Sequence, residues 1–218
     1  MNMDAFNSFL ATVKPVFELA YFIASIGLAF FAYYGLQQIT VLKTTAASQA
    51  RRDALRLTSE QCAIYMDKII SAQNEFNDGL KASGNTWFEG WTIDINGREV
   101  RAHRTTPQDK ADFTELNIIQ HLNLMEAFSV YFASRLADEK VAYRTVGKTF
   151  VGHLDHVMPF VLMARKDGHY QNLVSLYVTW KARAEAEKLA FDQKKIDSKL
   201  SKLRSASATA SPVGSDYD

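Results

Sequence analysis

The sequence predicts a mainly α protein in which one N-terminal transmembrane helix continues into a stalk helix, followed by a helical bundle domain with one small β-hairpin. Three observations predict it. Residues 16–36 read VFELAYFIASIGLAFFAYYGL, 21 residues with Glu18 as the only charge. Residues 37–78 contain neither proline nor glycine and place apolar side chains three and four apart. Two alternating runs between 91 and 102 flank the dipeptide Asn96-Gly97.

At ~1.5 Å rise per residue, a helix over residues 16–36 just crosses a ~30 Å hydrocarbon layer. Glu18 lies within a turn of one end, within reach of headgroups, and Tyr33 and Tyr34 lie at the other, where aromatic side chains favour the interface. A cleaved signal peptide is the first alternative. Its apolar core is shorter, follows a basic region and ends at a small-residue cleavage site; here residues 1–14 carry only Asp4 and Lys14 as charges. A buried core helix is the second alternative, and such helices are usually shorter.

Lys43, Arg51, Arg52 and Arg56 follow the apolar run within about 20 residues, whereas Lys14 alone precedes it. The positive-inside rule then leaves residues 1–15 as a short extracytoplasmic N-terminus and puts the rest in the cytoplasm. In a bacterium the anchor would lie in the inner membrane. The single cysteine, Cys62, has no intramolecular disulfide partner and fits a reducing compartment. With 25 Lys+Arg against 24 Asp+Glu the chain lacks the basic field of a nucleic-acid binder, so no nucleic acid is expected. The expected partners are the lipid bilayer and a protein, either another chain or a second copy.

After the anchor, Ile39, Leu42, Ala46, Ala50, Ala54, Leu57, Ile64 and Ile69 suit one helix face, predicting a juxtamembrane stalk over 37–80. Arg51, Arg52 and Arg56 would meet anionic headgroups if that helix lay on the surface; a solvated face is the plainer reading. A helical cytoplasmic domain follows over 81–183. Asn96-Gly97 suits a type I′ turn, where both central residues need positive φ. Trp91, Ile93 and Ile95 then share a face with Val100 and Ala102, and that face needs a helix to pack on. Trp87 and Trp91 suit core packing better than a ligand groove.

Thr106-Pro107 reads as a helix start, with Asp109 in the first turn and Phe113, Leu116, Ile119, Leu122, Met125, Phe128 and Phe132 as its apolar stripe. Asp138 suits the cap of a third helix carrying Val146, Phe150, Leu154 and Val157, which Pro159 kinks or ends. A last helix carries Leu173, Leu176, Tyr177 and Trp180. It continues as a charged helix over 184–204, where Leu189, Ile196, Leu200 and Leu203 keep a narrow seam suited to a short coiled coil. The small, polar residues 205–218 predict disorder.

Few residues suggest chemistry. Gly147-Lys148-Thr149 resembles the end of a phosphate-binding loop, but Ala142 stands where the first glycine belongs and no strand precedes it. His153, Asp155 and His156 are the densest group of potential ligands, with the two imidazoles three apart. A metal or hydrolytic site there needs a further ligand such as His121, Glu126 or Asp112, and no cofactor is expected. Asn123 and Glu126 form a polar pair on an otherwise apolar helix. A helix-to-helix hydrogen bond, with Arg135 or Arg165 as charge partner, suits them better than an acid–base site.

The order of features resembles a known family. It comprises the N-terminal membrane helix, a basic juxtamembrane helix, the LNxxE element at 122–126, Asp138-Glu139, Arg165, and a terminal helix with Trp180 and Arg183. Over about residues 15–183 the chain is similar to the bacterial "domain of unknown function 4760" family of small membrane-anchored proteins. The resemblance implies architecture alone, since that family has no assigned reaction, substrate or cofactor. The Asn96-Gly97 hairpin departs from its helical pattern. The sequence thus predicts a membrane-tethered interaction or scaffolding module, more in keeping with a non-enzyme. The alternatives are a membrane-bound hydrolase or metal-dependent enzyme, and a sensor or effector in a bacterial stress or phage response.

Overall fold

A computed structural model of the chain describes residues 3–104, 113 and 116–207. It divides into two compact units, Met1–Asp53 and Ala54–Asp218, and helix α1 (Met3–Ile64) contributes to both.

In the first unit no side chain within the most apolar stretch of α1 is buried, and Phe17 and Phe31 are 71% and 79% exposed. Its polar groups turn back on the helix. Ser25 Oγ donates to the Tyr21 carbonyl at 2.8 Å, and Thr40 Oγ1 to that of Leu36 at 3.1 Å. Such self-satisfied hydroxyls cost little away from water. By length and composition this is the one helix among the described residues able to cross a membrane.

The second unit is mainly helical with one small antiparallel sheet. α1 passes through a π-turn (Tyr65–Ile69) into α2 (Ile70–Ser83). β1 (Trp91–Asn96) and β2 (Glu99–Arg104) form the hairpin. α3 (Ile118–Ala133) precedes α4 (Glu139–Ala142), which runs through a second π-turn (Tyr143–Gly147) into α5 (Lys148–Ala164). A 3₁₀ turn (Arg165–Asp167) leads to α6 (Gln171–Ser207).

Trp180 of α6 is the hub of the core, fully buried among Phe128 and Phe132 of α3, Tyr143 and Phe150. Each ring lies 4.8 to 6.2 Å from its centroid, the range in which edge-to-face packing adds to area burial. The predicted stripes Leu122–Met125–Phe128–Phe132, Val146–Phe150–Leu154–Val157 and Leu173–Leu176–Tyr177–Trp180 all face this core, whereas Ile119, expected on the first of them, is exposed on the first turn of α3.

Several expectations differ in detail. The helix expected to be a stalk to residue 80 instead belongs to the packed unit from Ala54 on. Its buried stripe is Thr58, Cys62, Tyr65, Ile69 and Phe76, and Ile39, Leu42 and Ile64 are exposed. The large rings decide the docking face: Tyr65 meets Phe128 at 5.0 Å, and alanines at 46, 50 and 54 offer far less area.

The hairpin turn is centred one residue later than Asn96-Gly97. Asn96 pairs with Glu99, leaving Gly97 and Arg98 central, and only Gly97 has positive φ (62°). That is the requirement of a type II′ turn, which tolerates an ordinary residue second. The register shifts by two, so the same face stays apolar: Ile93 opposes Ala102 and Ile95 opposes Val100. This face packs on α5.

The start predicted at Thr106-Pro107, with Asp109, lies outside the described residues. The described helix begins at Ile118, because Asn117 is left-handed (φ 47°) and separates it from Phe113 and Leu116. Asp138 caps as expected, accepting from the Val141 N–H at 3.1 Å. Pro159 does not end its helix, which runs on to Ala164. Of the tail at 205–218, Ser205 to Ser207 complete α6 and the rest lies outside the described residues.

Candidate functional site

The polar residues singled out from the sequence sit around α6 but form separate clusters. Glu126 of α3 points at the α6 N-terminus. Its Oε2 accepts from the Leu173 N–H at 2.7 Å, and its Oε1 from the Asn172 N–H at 3.2 Å and side-chain amide at 2.8 Å. Asn123, one turn earlier, accepts from the Tyr170 hydroxyl at 3.3 Å. The LNxxE element thus caps the tryptophan-bearing helix, where unpaired N–H groups and the positive dipole end meet a carboxylate. The expected arginine partners are elsewhere: Arg165 Nε donates to Gln171 Oε1 at 3.2 Å, and Arg135 is exposed.

Asp155 and Glu139 hold the middle of α6. Asp155 accepts from the Tyr177 hydroxyl and from Lys181 Nζ, both at 2.6 Å. Glu139 accepts from Trp180 Nε1 at 2.5 Å and forms a two-pronged pair with Arg183 at 2.8 and 2.9 Å. The Arg183 guanidinium also stacks over Tyr143 at 4.7 Å. The sequence placed Trp180 on an apolar stripe, but it linked Trp180 to Glu139 and Arg183 only by family resemblance, since charges 44 residues apart carry no spacing signal.

His153 and His156 do not form a shared ligand set. His153 is buried, and its Nε2 lies 2.6 Å from Nε2 of buried His121 on α3. His156 is exposed, against the Phe88 ring at 5.6 Å. Burial lowers His121 from its usual 6.5 to about 4. His153 falls to about 3, first through burial and then through the neighbouring His121 and His156. Both rings are therefore neutral at pH 7, one donating its N–H to the other. The Nδ1 of His121 is buried without a partner.

Sequence reasoning named His121 as a possible companion, and the fold supplies it. Glu126 and Asp155 face α6 instead, and Asp112 lies outside the described residues. No group of three metal-ligating side chains occurs among the described residues. The three carboxylates each spend their oxygens on α6, and the imidazole pair is sealed under Phe76, whose ring stacks 6.3 Å from His121. The Gly147-Lys148-Thr149 tripeptide lies in a helix, where Gly147 makes room for the Tyr143 ring.

The interface residues expected from the sequence are exposed. Glu18 pairs loosely with Lys14 at 3.9 Å, and Tyr33 accepts from Gln37 at 3.0 Å, its ring 5.9 Å from that of Tyr34. Arg51 and Arg52 project into solvent in the first unit; Arg56, in the second, lies 3.9 Å from Glu60. Beyond Trp180, α6 leaves Leu189, Phe191, Ile196, Leu200 and Leu203 at least 47% exposed.

No protein-family model matches the chain, and neither a curated protein nor a solved structure matches it.

Proposed function

We propose that this protein is a membrane-tethered helical module that self-associates through the outer half of α6, with the second unit on the cytoplasmic side. One observation carries the tether: the apolar residues between 16 and 36 are uncovered on every side of α1. Seventeen such side chains in water would form a continuous apolar surface far above what a soluble monomer exposes, and a bilayer is the cover that fits it. The arginines at 51, 52 and 56 support the orientation. The resemblance to membrane-anchored proteins of the "domain of unknown function 4760" family adds architecture and no chemistry.

The α6 seam favours a second copy of this chain. Leu189, Ile196 and Leu203 repeat every seven residues, with Ala186, Gln193 and Leu200 at the interleaved positions. A parallel pair would set Asp192 against Asp197 and Lys199 against Arg204. An antiparallel pair instead interleaves the same apolar layers and sets Asp192 against Lys199, so complementary charge selects it. The seam is under three heptads, and confinement to a membrane would raise the effective concentration enough for a short one to act. Among the described residues the buried histidines pair with each other and the carboxylates bond to α6, an arrangement that supports the interaction reading over the hydrolase and metal-enzyme alternatives.

Expressed full chain should remain in the membrane pellet after alkaline carbonate extraction, and a C-terminal tag should be protected from protease in intact cells. In mild detergent it should run as a dimer that truncation after Arg183 converts to monomer. Extraction by carbonate would overturn the tether, and a monomeric full chain would overturn self-association.

A further inference from the structure

A cleft of about 650 Å³ in the second unit is lined by the end of α3, the start of α6, the intervening 3₁₀ turn and the hairpin tip. Its volume is that of a small-molecule site. Arg98, Arg135, Arg165 and Glu139 supply its charge, with Gln171 and Ser175 as neutral polar groups and an apolar floor from α3 and α6. Three guanidiniums thus face one carboxylate. That carboxylate is already paired with Arg183 and accepts the Trp180 N–H, and neither of those residues lines the cleft.

The arginines are left over in a chain whose formal charge is only +1. Arg98 and Arg135 have no ion pair among the described residues. Arg165 is oriented by its Nε bond to Gln171, which leaves its two terminal nitrogens free to donate. The type II′ turn that puts Arg98 second, after Gly97, brings the first of these groups to the cleft.

Arg135 is the most telling. The Leu136 N–H reaches the Tyr131 carbonyl at 2.9 Å and the Arg135 N–H reaches that of Phe132 at 3.2 Å. This pair of bonds is the Schellman closure of a helix, with Arg135 at the left-handed position where glycine is preferred. Its φ is 59°. Tyr170 has a similar φ of 57°, but its side chain is buried and bonded to Asn123. Arg135 is exposed, and among the described residues no hydrogen bond or ion pair of its side chain offsets the strained backbone. Strain held without a structural return is found where a side chain meets a ligand.

We propose that this cleft binds a phosphate-bearing anion, gripped by the guanidiniums of Arg98, Arg135 and Arg165. A planar carboxylate saturates one or two guanidinium forks. A tetrahedral phosphate carries enough acceptor oxygens for three, and its second negative charge is matched by the surplus cations. The apolar floor accommodates whatever organic group the phosphate bears. The site goes beyond the tether and the α6 seam, and depends on neither.

The full chain in mild detergent should bind inorganic pyrophosphate saturably at low ionic strength by titration calorimetry, with affinity falling as salt rises. Arg165→Gln should weaken binding by about tenfold, the loss of one charge-assisted contact. Arg135→Gly should weaken it by a similar factor while leaving the melting temperature unchanged or higher, a combination that a merely structural arginine would not show. Lys202→Gln, on the exposed part of α6, should bind as the parent does. Repeating the titration in phosphatidylcholine nanodiscs, with and without phosphatidylglycerol, separates the sources: unchanged affinity identifies a soluble phosphate, and competition by phosphatidylglycerol in the parent alone identifies a lipid headgroup. Absence of saturable pyrophosphate binding, or parental affinity in both Arg165→Gln and Arg135→Gly, would overturn the proposal.

Discussion

The Glu126 carboxylate accepts the Leu173 backbone N–H at 2.7 Å across the α3–α6 interface. One side chain thereby closes the start of the helix that carries Trp180, and its other oxygen holds Asn172. Removing it leaves those donors without a partner in a half-buried setting. Glu126→Ala should lower stability by about 1–3 kcal/mol, and Glu126→Gln by less, since an amide oxygen still accepts. Thermal melts in detergent check the order. Hydrogen exchange at 172–173 should quicken in the alanine variant, and parental stability there would sink the capping assignment.

His121 and His153 stabilise the fold only while both are neutral. Their folded values, about 4 and about 3, lie below the usual 6.5. The unfolded chain therefore binds protons first as pH drops. The stabilisation is complete above pH 6.5 and is lost progressively as pH falls from there through the folded values. The melting temperature should fall across that window in the parent and much less in a His121→Phe, His153→Phe double variant. Each single variant leaves the other ring's polar atom unpaired and should cost about 1–3 kcal/mol, with the double costing less than the sum. An additive pair would refute the coupling.

Gly147 faces the Tyr143 ring so closely that a Cβ would collide with its edge. Tyr143 is buried in the π-turn of the same helix and cannot swing away without leaving Trp180. Gly147→Ala should therefore destabilise by about 1–3 kcal/mol even though alanine is the better helix former. Tyr143→Leu should absorb part of that cost in the double variant. Equal melting temperatures for parent and Gly147→Ala would rule the clash out.

The sequence was informative wherever a property repeats along one helix. The apolar run at 16–36, the stripes of α3, α5 and α6, the Asp138 cap and the apolar face of the hairpin all depend on near neighbours in the chain. The same local reasoning misplaced the hairpin turn by one residue, because Asn-Gly and Gly-Arg both satisfy a two-residue turn and only strand pairing chooses between them. It also read the helix face after residue 54 only in part: Ile69 is buried and Leu57 packs partly as expected, but Ile64 is exposed, and Tyr65 and Phe76 are the large side chains that dock.

The candidate site was legible only in parts. His153 and Glu126 were singled out, but a spacing of three promised His156 as the partner of His153, and the fold supplied His121, 32 residues away. Glu126 was read as a structural hydrogen bonder, and its partners proved to be the Asn172 side-chain amide and two backbone donors of α6, the latter leaving no trace in residue type. By itself the sequence determined a mainly α chain, one helix apolar and long enough to cross a membrane, and the periodic core, because these follow from period and length. Tertiary structure decided which carboxylate meets which helix, that two histidines share one buried contact, and that three arginines far apart in sequence line one cleft. Those are long-range pairings set by packing, and no local pattern encodes them.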